Sequence, residues 1–345
     1  MSLDKVKIAI IGLGRIARTH IDSIQHWPEL CELTAVVDIK EDLAKSYSEE
    51  FNVPYYTSVE DCLADPNVDA VVICLRHDLH EPVSVQASNA GKHVLVEKVM
   101  ATSVEEGISM VNAAKRNNKK LMVAQSRRYF QAFHEARKHF DKIGKITNSL
   151  YNFTCYFDKD IAPLWWRSKE ATGGLAYPML GSHAIDITLW MMDDREPVSV
   201  LAQGTSNNPD FEGDDDLTII IGFNDGTQAT CFLGINNKYP IHEGNIIGKK
   251  GTIKWSQTGD HVGLIGTADT DLYVNGELIM SGASEPHNFA IQMKEFVDSV
   301  IEDREPLTSG EKIITQLRII EAAQKSAEEK RVVRLEEIDS LATVN

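Results

Sequence analysis

Two stretches of this 345-residue chain carry side chains placed to do chemistry. In VLVEKVM (94–100), Glu97 and Lys98 end an apolar run at the point where a buried strand should stop. A charged pair leaving a core is costly unless something uses it. An amine there can exchange a proton with a hydroxyl if burial or a nearby positive charge lowers its pKa toward neutrality. The alternative is a solvated strand end with a snorkelling lysine. In GLGRIA (12–17) the spacing fits G-x-G-x-x-G/A. Gly12 permits a tight turn, Gly14 lets the backbone approach a pyrophosphate, and Ala17 is small enough for helix-on-strand packing. The helix start that follows, with Arg15 and Ile16, offers unpaired N–H groups and a positive dipole end to phosphate. Asp38 ends the next strand pattern, where a carboxylate accepts hydrogen bonds from adenine ribose hydroxyls. A 2'-phosphate would meet like charge there, so NAD(H) is favoured over NADP(H), although Lys40 lies nearby and can tolerate a phosphate, so the preference is not absolute.

These residues need a scaffold, and the pattern supplies one. Continuous apolar runs at 6–12, 33–38, 69–75, 93–98 and 121–125 alternate with helical patterns near 15–26, 40–51, 80–91 and 103–118. Strands that are apolar throughout are covered on both faces, as in the parallel sheets of α/β folds. The expectation is a doubly wound, Rossmann-type domain over 1–125. Beyond it, strand-like runs gather together, with Asn224-Asp225-Gly226 and Asn275-Gly276 as hairpin turns. Residues 126–345 are therefore expected to form an α+β domain with a mostly antiparallel sheet.

Composition excludes several classes. The hydrophobic fraction of 43% and charged fraction of 25% are those of a soluble globular protein. A net charge of −16 argues against nucleic-acid and anionic-membrane partners. The five cysteines lack any C-x-x-C pair and read as free thiols. No signal core or membrane-length apolar run is present, so a cytoplasmic location is expected. The three aspartates of GDDD (213–216) read as a solvated loop, and no metal is assigned.

The ordered set AIIGLGRIA, Asp38, DAVVICL, His80, GKHVLVEK and WWR…GGLAYPMLGSHAID resembles the Gfo/Idh/MocA oxidoreductases. The late GKKGTIKW and the helix after EPHNF extend the likeness over about residues 5–335. The resemblance implies a Rossmann-type domain followed by an α+β domain with a broad open sheet often used for oligomerisation, hence a homodimer or homotetramer. It also implies oxidation of a secondary alcohol of a sugar or polyol with NAD(P), or reduction of the ketone. The family's E-K-P falls on Glu97-Lys98-Val99, its catalytic lysine on Lys98, and its G-x-H-x-x-D histidine on His183, with Asp186 one turn on. Leu75 and His80 are expected at the cofactor. Glu97 either orients Lys98 or contacts the cofactor.

The chain departs from the family pattern in three places. Val99 replaces the proline after Lys98, Met179 stands where a carboxylate often partners the histidine, and LRH (75–77) replaces a T-P-N-like loop, bringing in Arg76 and His77. Either His183 then takes another partner, such as Asp186 or Tyr177, or its role is reduced. Trp166 suits the apolar face of a sugar ring, and Arg167 suits a carboxylate or hydroxyl. Arg127 and Arg128, just past the last Rossmann strand, are candidate substrate or cofactor contacts, with helix-start charge as the competing role. The reading is an NAD-dependent dehydrogenase of sugars or polyols. NAD-assisted glycoside cleavage or elimination, and a non-catalytic NAD-responsive regulator, are the alternatives.

Overall fold

Strand β1 (Val6–Ile11) is buried almost throughout, which requires neighbours on both edges and cover on both faces. The computed structural model, which describes residues 5–193, 195–258 and 269–342, supplies both. Strands β2 (Cys31–Val37), β3 (Tyr55–Tyr56), β4 (Ala70–Ile73), β5 (His93–Val96) and β6 (Leu121–Val123) join β1 in a parallel sheet of order β3-β2-β1-β4-β5-β6. The helices between them are α1 (Arg15–Gln25), α2 (Glu41–Phe51), α3 (Val59–Ala64), α4 (His80–Asn89) and α5 (Val104–Arg116). Strand order reverses between β1 and β4, the switch point beside which such sheets bind ligands at their carboxyl ends. The register puts Ile11, Ile73 and Val96 side by side, so the residues that follow them leave the sheet at one level.

The chain divides into two compact units, and the first takes Met1–Ala124 together with Phe289–Ile314. The later segment belongs there because it covers the β6 edge. Val123 N–H donates to the Thr308 carbonyl at 2.8 Å, and the Thr308 hydroxyl donates to the Val123 carbonyl at 2.7 Å. The indole N–H of Trp27 likewise donates to the Ala290 carbonyl at 2.7 Å.

The second unit (Gln125–Asn288, Thr315–Asn345) is built on a second sheet. Its strands are β7 (Ile146–Tyr156), β8 (Pro197–Thr205), β9 (Asp216–Phe223), β10 (Gln228–Gly234), β11 (Asn236–Gly248), β12 (Thr252–Thr258), β13 (Asp269–Val274), β14 (Glu277–Met280) and β15 (Val333–Arg334). Their order is β14-β13-β12-β11-β7-β10-β9-β8-β15, antiparallel except where β7 meets β10. The β13–β14 hairpin turns through Asn275 and Gly276, both at positive φ, as a tight primed turn requires. Side chains alternate along β9, β10 and β12, buried on one face and half-exposed on the other. The buried face carries the helix Gly181–Met191, which packs on β7 and β10 and is itself almost wholly buried. Its interior position explains why this helix is mostly apolar, with the polar side chains of Ser182, His183, Asp186 and Thr188 buried along with the rest. One expectation fails here: Asp215 of the acidic run is buried, not solvated, and its carboxylate ties the loop by accepting from the backbone N–H groups of Asn207 and Asn208.

Candidate active site

In the first unit the dinucleotide turn has the shape its glycines require. Gly12 sits at φ +90°, and a Cβ there would lie 2.7 Å from the Cys74 carbonyl oxygen and 2.8 Å from Leu75 Cδ2. Only glycine fits where the ends of β1 and β4 come this close. At Gly14 a Cβ would meet nothing within 4 Å, so the turn opens onto free space. Helices α3 and α5 begin with serine side chains that cap their backbone, Ser58 accepting from Asp61 N–H and Ser103 from Glu106 N–H. Helix α1 begins at Gly14 with no such cap, as α2 and α4 do at Lys40 and Leu79, and only at Gly14 does the start adjoin the open space of the glycine turn. Its first N–H groups and exposed Arg15 therefore face that space, and the half-buried Ile16 flanks it. Asp38 stands at the same edge, accepting from Leu13 N–H at 3.0 Å and Lys40 N–H at 2.9 Å. These bonds fix the carboxylate and tie it to the turn. An open, uncapped helix start beside a fixed carboxylate suits a dinucleotide.

Leu75 and His80 were both expected at the cofactor. Leu75 borders Gly12 as described, and its carbonyl faces His80 Nε2 at 3.1 Å. His80 Nδ1 lies 2.7 Å from the Val99 carbonyl. The ring is fully buried, and burial pushes its pKa down while the two carbonyls and Glu97 push it back up. A neutral imidazole carries one N–H, and the shorter contact puts it on Nδ1, donating to Val99; the buried ring lies between the loops after β4 and β5. In the loop that carries Arg76 and His77, Arg76 pairs with Asp78 at 2.7 Å, and the His77 ring is buried 5.7 Å from that of His80.

Lys98 follows β5 directly, half-buried, and the Lys98–Val99 peptide bond is cis. Glu97 Oε2 accepts the Lys98 N–H at 3.0 Å, so Glu97 orients the main chain at Lys98. Its other oxygen, Oε1, lies 2.9 Å from His20 Nε2.

In the second unit the expected substrate side chains fall into three groups. Arg128 forms a two-pronged pair with Asp186, Nε to Oδ2 at 2.8 Å and Nη2 to Oδ1 at 2.7 Å. Burial raises the Asp186 carboxyl, against the pull of the Arg128 guanidinium. Arg127 is buried, with Nη1 3.1 Å from Gln257 Oε1 and from His242 Nε2, and its guanidinium 4.6 Å from the Phe153 ring centre. Tyr151 Oη reaches His242 Nε2 at 2.6 Å. Burial pushes the His242 imidazole well down and the Tyr151 phenol up. Arg127 and Asp186 were expected as substrate contacts; both are instead sealed into these networks, because a buried charge must be surrounded by polar or π partners. His183 is also buried, its ring 6.1 Å from the Phe153 ring that carries Arg127. Asp186, one expected partner for His183, is held in its two-pronged pair with Arg128. Trp166 and Arg167 stand apart from both networks. Trp166 packs on Phe157 at 4.7 Å, and Arg167 Nη2 donates to the Lys159 carbonyl at 2.7 Å.

Comparison with known proteins decides what this pair of units is. The NAD-binding Rossmann fold of an oxidoreductase family matches residues 6–125, and the C-terminal alpha/beta domain of the same family matches residues 137–335. The chain belongs to the Gfo/Idh/MocA oxidoreductases. As a member it is an NAD-binding oxidoreductase with the two-part architecture seen here. It is 26% identical over 343 residues to a myo-inositol 2-dehydrogenase of Thermotoga maritima, covering 96% of this chain and 99% of that one. Among solved structures it shares its fold with an aldose-aldose oxidoreductase from Caulobacter crescentus complexed with glycerol, at TM-score 0.84 and 24% identity, covering 96% of this chain and 99% of that one. A levoglucosan dehydrogenase in complex with NADH and L-sorbose superimposes at TM-score 0.85 and 19% identity, with 96% and 99% coverage.

Two participants escaped the sequence reading of this Gfo/Idh/MocA member. His20 lies in the buried stripe Ala17-His20-Ile21-Ile24 of α1, and a histidine inside an i, i+3, i+4, i+7 apolar stripe is a signal that was there to be used. His242 gave no comparable signal, since its partner Arg127 lies 115 residues away.

Proposed function

We propose that the protein oxidises a secondary alcohol of a sugar, polyol or inositol-like ring with NAD, with Lys98 taking the hydroxyl proton. The observation that carries this reading is the shared level of three strand ends. Gly12, Cys74-Leu75 and Glu97-Lys98 follow the registered residues Ile11, Ile73 and Val96, so the half-buried amine and the dinucleotide turn leave one sheet edge together. Gly12, Gly14, the start of α1 and Asp38 would hold the dinucleotide, which when bound supplies the acceptor for a hydride. Lys98 would accept the alcohol proton as the carbinol carbon loses hydride; otherwise a protonated ketone, too acidic to persist, would build up. In the reverse direction its ammonium would polarise the ketone oxygen. Asp38 supports a preference for NAD(H), because its carboxylate repels a 2'-phosphate.

The Thermotoga maritima relative, whose name specifies myo-inositol, supports a polyol as substrate. Trp166 and His183 are the side chains we assign to sugar recognition. A ring face suits Trp166, and an imidazole can hydrogen-bond a hydroxyl. Met179, buried where relatives often carry a carboxylate, cannot orient an imidazole, so His183 is given hydrogen bonding and not the main proton transfer.

The test is a panel of inositols, aldoses and linear polyols assayed for NADH formation. Turnover on at least one cyclic polyol or aldose is expected. A folded protein that binds NADH yet oxidises nothing across the panel would contradict the reading.

A further inference from the structure

We propose that His20 is a positioning residue for the reaction, acting through Glu97 on the main chain of Lys98; this deepens, and rests on, the reading of Lys98 as proton carrier.

The position of His20 is not explained by packing. Its ring is fully buried in α1 among Ala17, Ile21 and Ile24, with Phe289 edge-on at 5.7 Å. A leucine or methionine would fill that space without bringing a polar ring into the core. What the imidazole alone provides is a donor for Glu97, whose side chain is also largely buried. A carboxylate only accepts, so the hydrogen of the 2.9 Å contact sits on His20 Nε2. Among the described residues the Nδ1 atom has no hydrogen-bond partner. Glu97 thus holds two N–H donors at once, His20 on Oε1 and the Lys98 amide on Oε2.

This arrangement fixes the root of the lysine. On the N-terminal side the Lys98 amide is held by Glu97, and on the C-terminal side the Val99 carbonyl is held by His80. A lysine side chain has four rotatable carbons, and proton transfer needs its nitrogen within about 2.6–3.2 Å of the hydroxyl. Holding the backbone on both sides of Lys98 narrows where that nitrogen can go. Because His20 lies on the helix whose first turn faces the dinucleotide, the support of the lysine and the phosphate end of the cofactor site share one rigid element.

Two variants and one spectrum test the link. His20→Leu keeps the volume and removes the donor, whereas His20→Gln restores an N–H near the place of Nε2. With the best polyol of the panel, His20→Leu is expected to lower kcat by about 10- to 100-fold, the scale set by small misplacements of a reacting group. The NADH dissociation constant should stay within about twofold, since the phosphate turn is untouched. His20→Gln should recover most of the kcat. Equal losses in kcat and in NADH affinity, or no recovery in a folded His20→Gln protein, would mark His20 as merely structural and overturn the proposal. If His20→Leu does not fold, Glu97→Gln interrupts the same chain and should show the same split between kcat and cofactor affinity; full kcat in that variant overturns the proposal. Independently of any substrate, a 15N spectrum of the histidine rings should place the His20 hydrogen on Nε2, and finding it on Nδ1 alone overturns the geometry. Lys98→Met separates the two claims. If turnover survives Lys98→Met, the reading of Lys98 fails. If Lys98→Met abolishes turnover while His20→Leu changes nothing, only the positioning role fails.

Discussion

The two units hold their polar groups in opposite ways. In the first, the polar groups around the glycine turn are mostly main chain: a turn at φ +90°, an uncapped helix start, and a carboxylate pinned by two backbone N–H groups. In the second, buried side chains meet one another from distant segments, Arg128 with Asp186 and Arg127 with His242 and Gln257. Main-chain sites tolerate many neighbouring sequences as long as the φ and the close approach survive. Side-chain networks in a low-dielectric core do not, because removing one member leaves the other buried and uncompensated.

That contrast sets the order of expected damage. The largest belongs to the second unit. Asp186→Ala leaves the Arg128 guanidinium buried without its carboxylate and should cost about 3–5 kcal/mol in chemical denaturation. Replacing both partners by apolar residues, Arg128→Met with Asp186→Leu, should recover much of that loss. A double variant no more stable than the single one would show that the pair is not the source of the cost.

In the first unit the largest effect should come from acid. His93 accepts the Lys120 N–H through Nδ1, and burial, then Lys119 and Lys120, lower its pKa to about 4. The unfolded chain, with histidine near about 6.5, takes up the proton first. Stability from this group is therefore complete above about pH 6.5 and falls as the pH drops toward 4, by up to about 3 kcal/mol. His93→Asn keeps an acceptor for the amide and cannot titrate. Denaturation midpoints measured across that window should fall less steeply for the variant than for the parent, and parallel curves would remove His93 from the account.

Gly12→Ala is next. Positive φ and the approach to the Cys74 carbonyl should together cost about 1–3 kcal/mol and most of the NADH affinity. Gly14→Ala, with open space around the added methyl, should leave the fold intact and weaken only the cofactor. Equal destabilisation by the two would contradict the geometry of the turn. The smallest effect is at Asp38, where Asp38→Ser should shift the NADH-to-NADPH affinity ratio toward NADPH by about tenfold, about 1.4 kcal/mol.

The same contrast explains what could be read before the structure. GLGRIA, Asp38 and the buried runs of β1, β4 and β5 are local signals, and they located the first sheet and the turn that follows β1. The two-residue β3 and the short α3 carry too little periodicity to be seen, although β3 forms an edge of that sheet. Arg127 and Asp186 were picked out by chemistry and position, but nothing local says that Asp186 will pair with a guanidinium 58 residues away or Arg127 with an imidazole 115 residues away. His80 was expected at the cofactor from its place in the chain; only its contacts with the Leu75 and Val99 carbonyls show the ring lying between two loops.

The central claim is that the amine of Lys98 carries the proton in an NAD-dependent oxidation, and a single comparison tests it. With a substrate from the polyol panel, Lys98→Met should lower kcat by about 10²- to 10⁴-fold while the NADH dissociation constant, measured by fluorescence titration, stays within a factor of about two. Undiminished turnover in a folded Lys98→Met protein would contradict the account.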